Sequence, residues 1–172
     1  ALQPLLAAKI YRPRQFRTLK KVHLYREGRD QLDAGGKVII DDRSLHAMRK
    51  RTTYGQVLLH SSWIGHEYRT MQLLADAGVD MPRAYASSDN AILMDFIGDE
   101  FESAPTLHSV TLSGSEARQL FDRIVLNLNL LLQNDRIHGD LSAYNILYWD
   151  GEITLIDFPQ VVSPESNPMA WT

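Results

Sequence analysis

His138-Gly139-Asp140-Leu141-Ser142-Ala143-Tyr144-Asn145 runs directly into Ile146-Leu147-Tyr148-Trp149, Asp150-Gly151, Glu152-Ile153-Thr154-Leu155-Ile156 and Asp157-Phe158-Pro159-Gln160. Asp-Gly between two apolar runs is the strongest short-range hairpin signal. A two-residue loop at 150–151 pairs 149 with 152, 148 with 153 and, at the open end, 145 with 156. Asn145 and Asp157 then lie about one residue apart across a ladder whose facing Cα atoms are ~5 Å apart. Strict alternation would turn Asp157 to the face opposite Ile156, so the chain must bend there, and Pro159 follows closely. An amide oxygen and a carboxylate meeting at a strand end make a hard-oxygen site suited to Mg²⁺. Asp140 lies five residues before Asn145, so two of the three side chains could hold a metal while the third accepts a proton. Taken singly, Asp140 and Asp157 read as turn residues capping backbone groups. The chemical reading gains weight from a Lys in an early strand.

Upstream, Ser113 with Glu116 three residues later forms a capping box. It opens an apolar, buried helix from about 115 to 134, carrying Leu120, Phe121, Ile124, Val125, Leu128, Leu131 and Leu132. Residues 99–112 read as loop, and 91–97 (Ala-Ile-Leu-Met-Asp-Phe-Ile) as a buried strand between Asp89-Asn90 and Gly98. Trp63, Ile64, Tyr68, Met71 and Leu74 recur at gaps of one, three and four, an amphipathic helix over 55–77 with Gly78 as its stop. Residues 5–11 predict a buried strand that Pro13 ends. A Lys in so apolar a run needs a partner, because an unpaired buried ammonium costs several kcal/mol. Glu67, four residues after Trp63, is the candidate; the alternative is that Lys9 snorkels from an edge strand. With the turn-prone Asp33-Ala34-Gly35-Gly36 among them, poor order is expected somewhere between 28 and 45. Strand, helix, strand, helix, hairpin reads as α+β with local antiparallel pairing.

The chain has 172 residues, enough for one domain or two small lobes sharing a core. With 44% hydrophobic and 23% charged residues, disordered, collagen and coiled-coil classes fall away. No run reaches the roughly 18 apolar residues that span a bilayer. The absence of Cys removes disulfides, thiolate metal sites and Cys nucleophiles. The expectation is a cytoplasmic protein with no membrane contact. Residues 1–53 hold 13 of the 18 Lys+Arg and 5 of the 21 Asp+Glu, so a basic first third precedes an acidic remainder. That split fits a phosphate-bearing or acidic partner, or two parts that pack on each other.

Strand Lys, helical Glu, apolar strand, Asp-(x)4-Asn and Asp-Phe follow the order of protein-kinase parts. The loop has Gly139 where ordinary kinases carry Arg, and Pro159-Gln160 in place of the usual Gly. With these departures the sequence resembles the RIO family of atypical serine/threonine kinases, whose loops read His-Gly-Asp-Leu-Ser-x-Tyr-Asn and Ile-Asp-Phe-Pro-Gln. Ala8-Lys9-Ile10-Tyr11-Arg12-Pro13-Arg14, Phe16-Arg17, Tyr25-Arg26-Glu27-Gly28-Arg29, Trp63 with Glu67, and Met94-Asp95-Phe96-Ile97-Gly98 look like the same family, from about residue 6 to 172.

The resemblance implies a two-lobed kinase-like fold, with 1–97 as a small antiparallel-sheet N-lobe and 98–172 as a partial helical C-lobe. It implies ATP- and Mg²⁺-dependent transfer to a serine or threonine of a protein or of the chain itself, with Mn²⁺ as a substitute ion. It places Lys9 on the α/β-phosphates paired with Glu67, Asp140 as the base, and Asn145 with Asp157 as metal ligands. Asp95 and Ile97 would bind adenine through backbone groups, with Met94 behind them. Ala7, Leu147 and Ile156 would wall the base, and Ser142 would shape the phosphate end. No Gly-x-Gly-x-x-Gly occurs and only eight residues precede Lys9, so the fold is expected to be truncated at both ends and to hold ATP loosely. Two alternatives stand: a small-molecule phosphotransferase of the aminoglycoside or choline kinase type, disfavoured by Ser142 and Tyr144, and an ATPase that times ribosome assembly. The latter would use the basic cluster Arg12, Arg14, Arg17, Lys20, Lys21, Arg26 and Arg29, expected to be exposed, to reach a ribosomal precursor or its rRNA.

Overall fold

The computed structural model describes residues 5–12 and 30–165. Its elements run β1 (Leu6–Ile10), α1 (Asp42–Lys50), α2 (Thr53–Asp76), β2 (Ala84–Ser87), β3 (Ala91–Asp95), a 3₁₀ turn (Leu107–Ser109), α3 (Gly114–Gln133), β4 (Ile146–Trp149) and β5 (Glu152–Leu155). One antiparallel sheet has the order β1-β3-β2, and β4 with β5 forms a separate hairpin. The α+β expectation with local antiparallel pairing holds.

The hairpin has the register its loop dictates, Trp149↔Glu152 through Ile146↔Leu155, and Ile156 N–H donates to Asn145 O at 3.0 Å. Asp150 (φ 49) and Gly151 (φ 84) are both left-handed, the geometry a tight two-residue hairpin needs. The capping box also forms: Ser113 Oγ accepts from Glu116 N and Glu116 Oε2 accepts from Ser113 N.

Several expectations change. The strand at 5–11 is not buried: it is a sheet edge whose outer residues Leu5, Leu6 and Ile10 (72%) are exposed, while Tyr11 turns into the core. The strand expected over 91–97 ends at Asp95; Phe96 N–H still reaches Leu5 O, and at Ile97 the carbonyl turns to Ala104 N as the chain leaves the sheet. The helix at 55–77 starts earlier, at Thr53, since Thr52 Oγ1 caps Gly55 N. Residues 30–45 are ordered rather than loose: Leu32 pairs with Val38 around a turn, and Asp41 caps α1 by accepting from Ser44 N at 2.8 Å. The apolar helix is buried along one stripe only, at Leu120, Asn127 and Leu131; Phe121, Val125, Leu128 and Leu132 are exposed among the described residues. At the start of the stretch expected as loop, 99–112, Ser103 forms a bridge back to Gly98. Gly98 (φ 137) permits it, because a Cβ there would meet Ser103 Cα at 2.9 Å and Ala104 N at 3.0 Å. Of the basic cluster only Arg12 is described, and it is exposed; the rest lies outside the described residues, as do Pro13 and positions 28–29.

The core threads from α2 (Ile64, Met71, Leu74) through β3 (Ile92) to α3 (Leu120, Leu131), the hairpin (Ile146, Ile153, Leu155) and Phe158. It therefore welds the sheet, with α2 on it, to the hairpin. Glu67 stands in the buried stripe of α2, between Ile64 and Met71.

Candidate active site

Strand alternation places Lys9 and Tyr11 on one face of the chain. Lys9 Nζ lies 2.7 Å from Glu67 Oε1 and 2.5 Å from Asp157 Oδ1. Although β1 is an edge strand, Lys9 therefore turns inward to two carboxylates instead of snorkelling to water. Glu67 is only 2% exposed, and a carboxylate that deep needs both oxygens satisfied. The second, Oε2, accepts from the Tyr11 hydroxyl at 2.5 Å, and Tyr11 itself stands edge-on to Trp63 with ring centroids 5.3 Å apart. Burial works to lower the Lys9 ammonium, but the charges of Glu67 and Asp157 and their hydrogen bonds outweigh it and hold Lys9 above the usual lysine range.

These groups open into a cleft of about 400 Å³ between the sheet and the hairpin. Ala7 and Met94 line it from the sheet, Leu147 and Ile156 from the hairpin, and Asp95 to Ile97 from the chain joining the two. Lys9, Glu67, Ser103, Asn145 and Asp157 supply its polar side chains. The Asp95 carboxylate is occupied outside, accepting from Arg83 N at 2.8 Å and the Tyr85 hydroxyl at 2.6 Å, so Asp95 offers the cleft backbone only.

The bend expected at Asp157 is real: its φ is 69. A non-glycine residue held there costs of order 1–3 kcal/mol, a strain that clusters at functional sites. His138 is buried below, its Nε2 3.1 Å from Ile156 O and its ring 4.8 Å from that of Phe158. Because a carbonyl only accepts, Nε2 carries the proton. Burial pushes this imidazole below the usual range despite the neighbouring Ile156 carbonyl, Asp157 and Asp140.

Asp140 is not part of the cleft lining; it is exposed beside it. Asn145 Nδ2 donates to Asp140 O at 2.7 Å and lies 3.4 Å from Asp140 Oδ2, while Gln160 Nε2 donates to Oδ2 at 3.1 Å. With Nδ2 engaged, Oδ1 is the Asn145 atom a cation can use. Ser142 enters through its carbonyl, which accepts from Asn145 N at 2.9 Å and tightens the loop. No three His, Asp or Glu gather to hold a metal among the described residues. Asn145 Oδ1 and the Asp157 carboxylate are hard oxygen donors of the kind Mg²⁺ takes.

The chain matches the RIO domain model over residues 6–172. It belongs to the RIO family. It is similar to the serine/threonine-protein kinase rio1 of Schizosaccharomyces pombe, 32% identical over 122 residues, covering 70% of this chain and 24% of that one. The human serine/threonine-protein kinase RIO1 is 33% identical over 102 residues, 59% of this chain and 18% of the relative. The RIO-type serine/threonine-protein kinase Rio1 of Methanocaldococcus jannaschii is 28% identical over 164 residues, 95% of this chain and 54% of the relative. The chain thus spans about half the archaeal RIO protein and a quarter or less of the other two. The RIO resemblance read from the loops at 138–145 and 156–160 is borne out. Two residues quoted in the motifs without a role stand against these groups, Tyr11 on Glu67 and Gln160 on Asp140. Alternation from Lys9 could have found Tyr11; nothing in the spacing relates Gln160 to Asp140.

Proposed function

We propose that this chain forms the nucleotide-binding and catalytic part of an ATP- and Mg²⁺-dependent serine/threonine kinase, with residues 1–97 and 98–172 as its two lobes. The observation that carries the reading is the convergence of Lys9, Glu67 and Asp157 in a cleft walled by apolar Ala7 and Met94 on the sheet side and Leu147 and Ile156 on the hairpin side. Adenine fits between Ala7, Leu147 and Ile156, with Met94 behind it. Asp95 N–H already serves Arg83 and Ile97 O already accepts from Ala104, so the base is recognised by the Asp95 carbonyl and the Ile97 N–H. Lys9, oriented by Glu67, binds the α/β-phosphates. Asn145 and Asp157 hold Mg²⁺, or Mn²⁺ in its place. When bound, the ion neutralises charge on the transferring phosphate. Asp140 accepts the proton of a serine or threonine hydroxyl. Phosphoryl transfer asks for positioning and charge stabilisation more than covalent chemistry, and this set supplies both.

The acceptor is a protein or the chain itself, which accords with the kinase names of its relatives. The basic first third supports an acidic partner such as a ribosomal precursor met in the cytoplasm. Ser142, Tyr144 and family membership argue against a small-molecule acceptor.

In the full-length protein, Asp157→Ala should abolish Mg²⁺-dependent ATP binding by calorimetry. Asp140→Asn should keep affinity within a few-fold and lose about 10²–10⁴ in transfer rate, the usual worth of a general base. Unchanged Mg²⁺-ATP affinity in Asp157→Ala would sink the metal assignment.

A further inference from the structure

Gly139 and Gln160 both belong to the departures from ordinary kinase loops, and in the fold they meet. Gly139 has φ 79, and a Cβ there would collide with Gln160 O while lying 3.2 Å from its carbonyl carbon and 3.4 Å from its Cβ. Any side chain at 139 would therefore drive residue 160 away from the loop. Because Gly139 lets it approach, Gln160 reaches Asp140 Oδ2 at 3.1 Å. The turn carrying Gln160 is held on both sides. Phe158 before it is buried against His138, and Val162 after it exchanges backbone hydrogen bonds of 2.9 and 3.0 Å with Ile137. Two amide donors, from Gln160 and Asn145, thus address the same oxygen, Oδ2, which leaves Oδ1 to the acceptor hydroxyl. Neither donor is charged, so the carboxylate is oriented without being neutralised.

We propose that Gln160 is a positioning residue for phosphoryl transfer: seated on Gly139, it fixes the Asp140 carboxylate so that one oxygen faces the acceptor. The inference rests on Asp140 being the base of the proposed function. In the full-length protein, Gln160→Met keeps the length and removes both N–H groups, whereas Gln160→His, assayed at about pH 8 where a free imidazole is neutral, restores an uncharged N–H donor of similar reach. Gln160→Met should lower kcat about ten- to a hundredfold, as loss of a hydrogen bond to a charged group does. KM for ATP should stay within about twofold, and Gln160→His should recover most of the rate. A purely structural Gln160 would move KM and the thermal midpoint together with kcat, and Gln160→His would not rescue it. The Gln160 side-chain amide resonance reads the contact without turnover: it should shift in Asp140→Ala and stay put in Asp122→Asn. If the wild-type protein transfers no phosphate, the proposed function fails while the resonance still decides the contact. An unmoved resonance in Asp140→Ala, or full kcat in Gln160→Met, overturns the inference.

Discussion

Tyr11 carries more than its single hydroxyl implies, because that hydroxyl is the donor to the buried second oxygen of Glu67. Tyr11→Phe keeps the ring against Trp63 and leaves that oxygen without the hydroxyl. The expected destabilisation is ~1–3 kcal/mol, the desolvation penalty of an unsatisfied buried group, read by urea unfolding. Glu67 would also hold Lys9 less firmly, so Mg²⁺-ATP affinity should fall in calorimetry. Unaltered stability and affinity would mean that Glu67 finds another donor. Lys9 and Glu67 were legible as residues because a charge in an apolar run, on strand or helix, demands a reason. Gln160 carried no such anomaly, and its place beside Asp140 follows from how two loops stack.

At the scale of elements, local signals succeeded where they were self-contained. Asp150-Gly151 set the hairpin, and the reciprocal bonds of Ser113 and Glu116 start α3. Ser113→Ala should cost ~1 kcal/mol, seen as a lower thermal midpoint with nucleotide affinity unchanged. No loss would mean that water replaces the cap. α1 escaped notice because it is short and polar, yet its Asp41 cap, Asp42 in the first turn and Arg49-Lys50 in the last suit the helix dipole. β2 escaped as well: Ala84–Ser87 is four residues long and bulged, and it exists through pairing with β3.

Across the whole molecule, Asp80 ties three elements together. It follows α2, its carbonyl accepts from Leu155 N of β5 at 2.7 Å, and its carboxylate takes both Arg123 and Asn127 of α3. Burial alone would raise this carboxyl, but the hydrogen bonds from Arg123 and Asn127 overcome it and hold Asp80 below its ordinary 3.8. A depressed carboxyl contributes stability that is complete above its unfolded value and is lost as pH falls through the folded one. Unfolding free energy should therefore decline below about pH 4. Asp80→Asn should flatten that decline; an acid limb of unchanged slope would assign it to other carboxylates.

What the sequence determined alone is what depends on near neighbours: hairpin register, the capped start of α3, the α+β order and the two loops that mark the RIO family. What needed the tertiary structure is everything decided by elements far apart in the chain. Lys9 meets Asp157 across 148 positions, and Gln160 meets Asp140 only because Gly139 leaves room. Periodicity and spacing report which face of an element is apolar. They carry no information on which loop closes over which, since that is set by the packing of Phe158, Ile64 and Leu155 in a shared core.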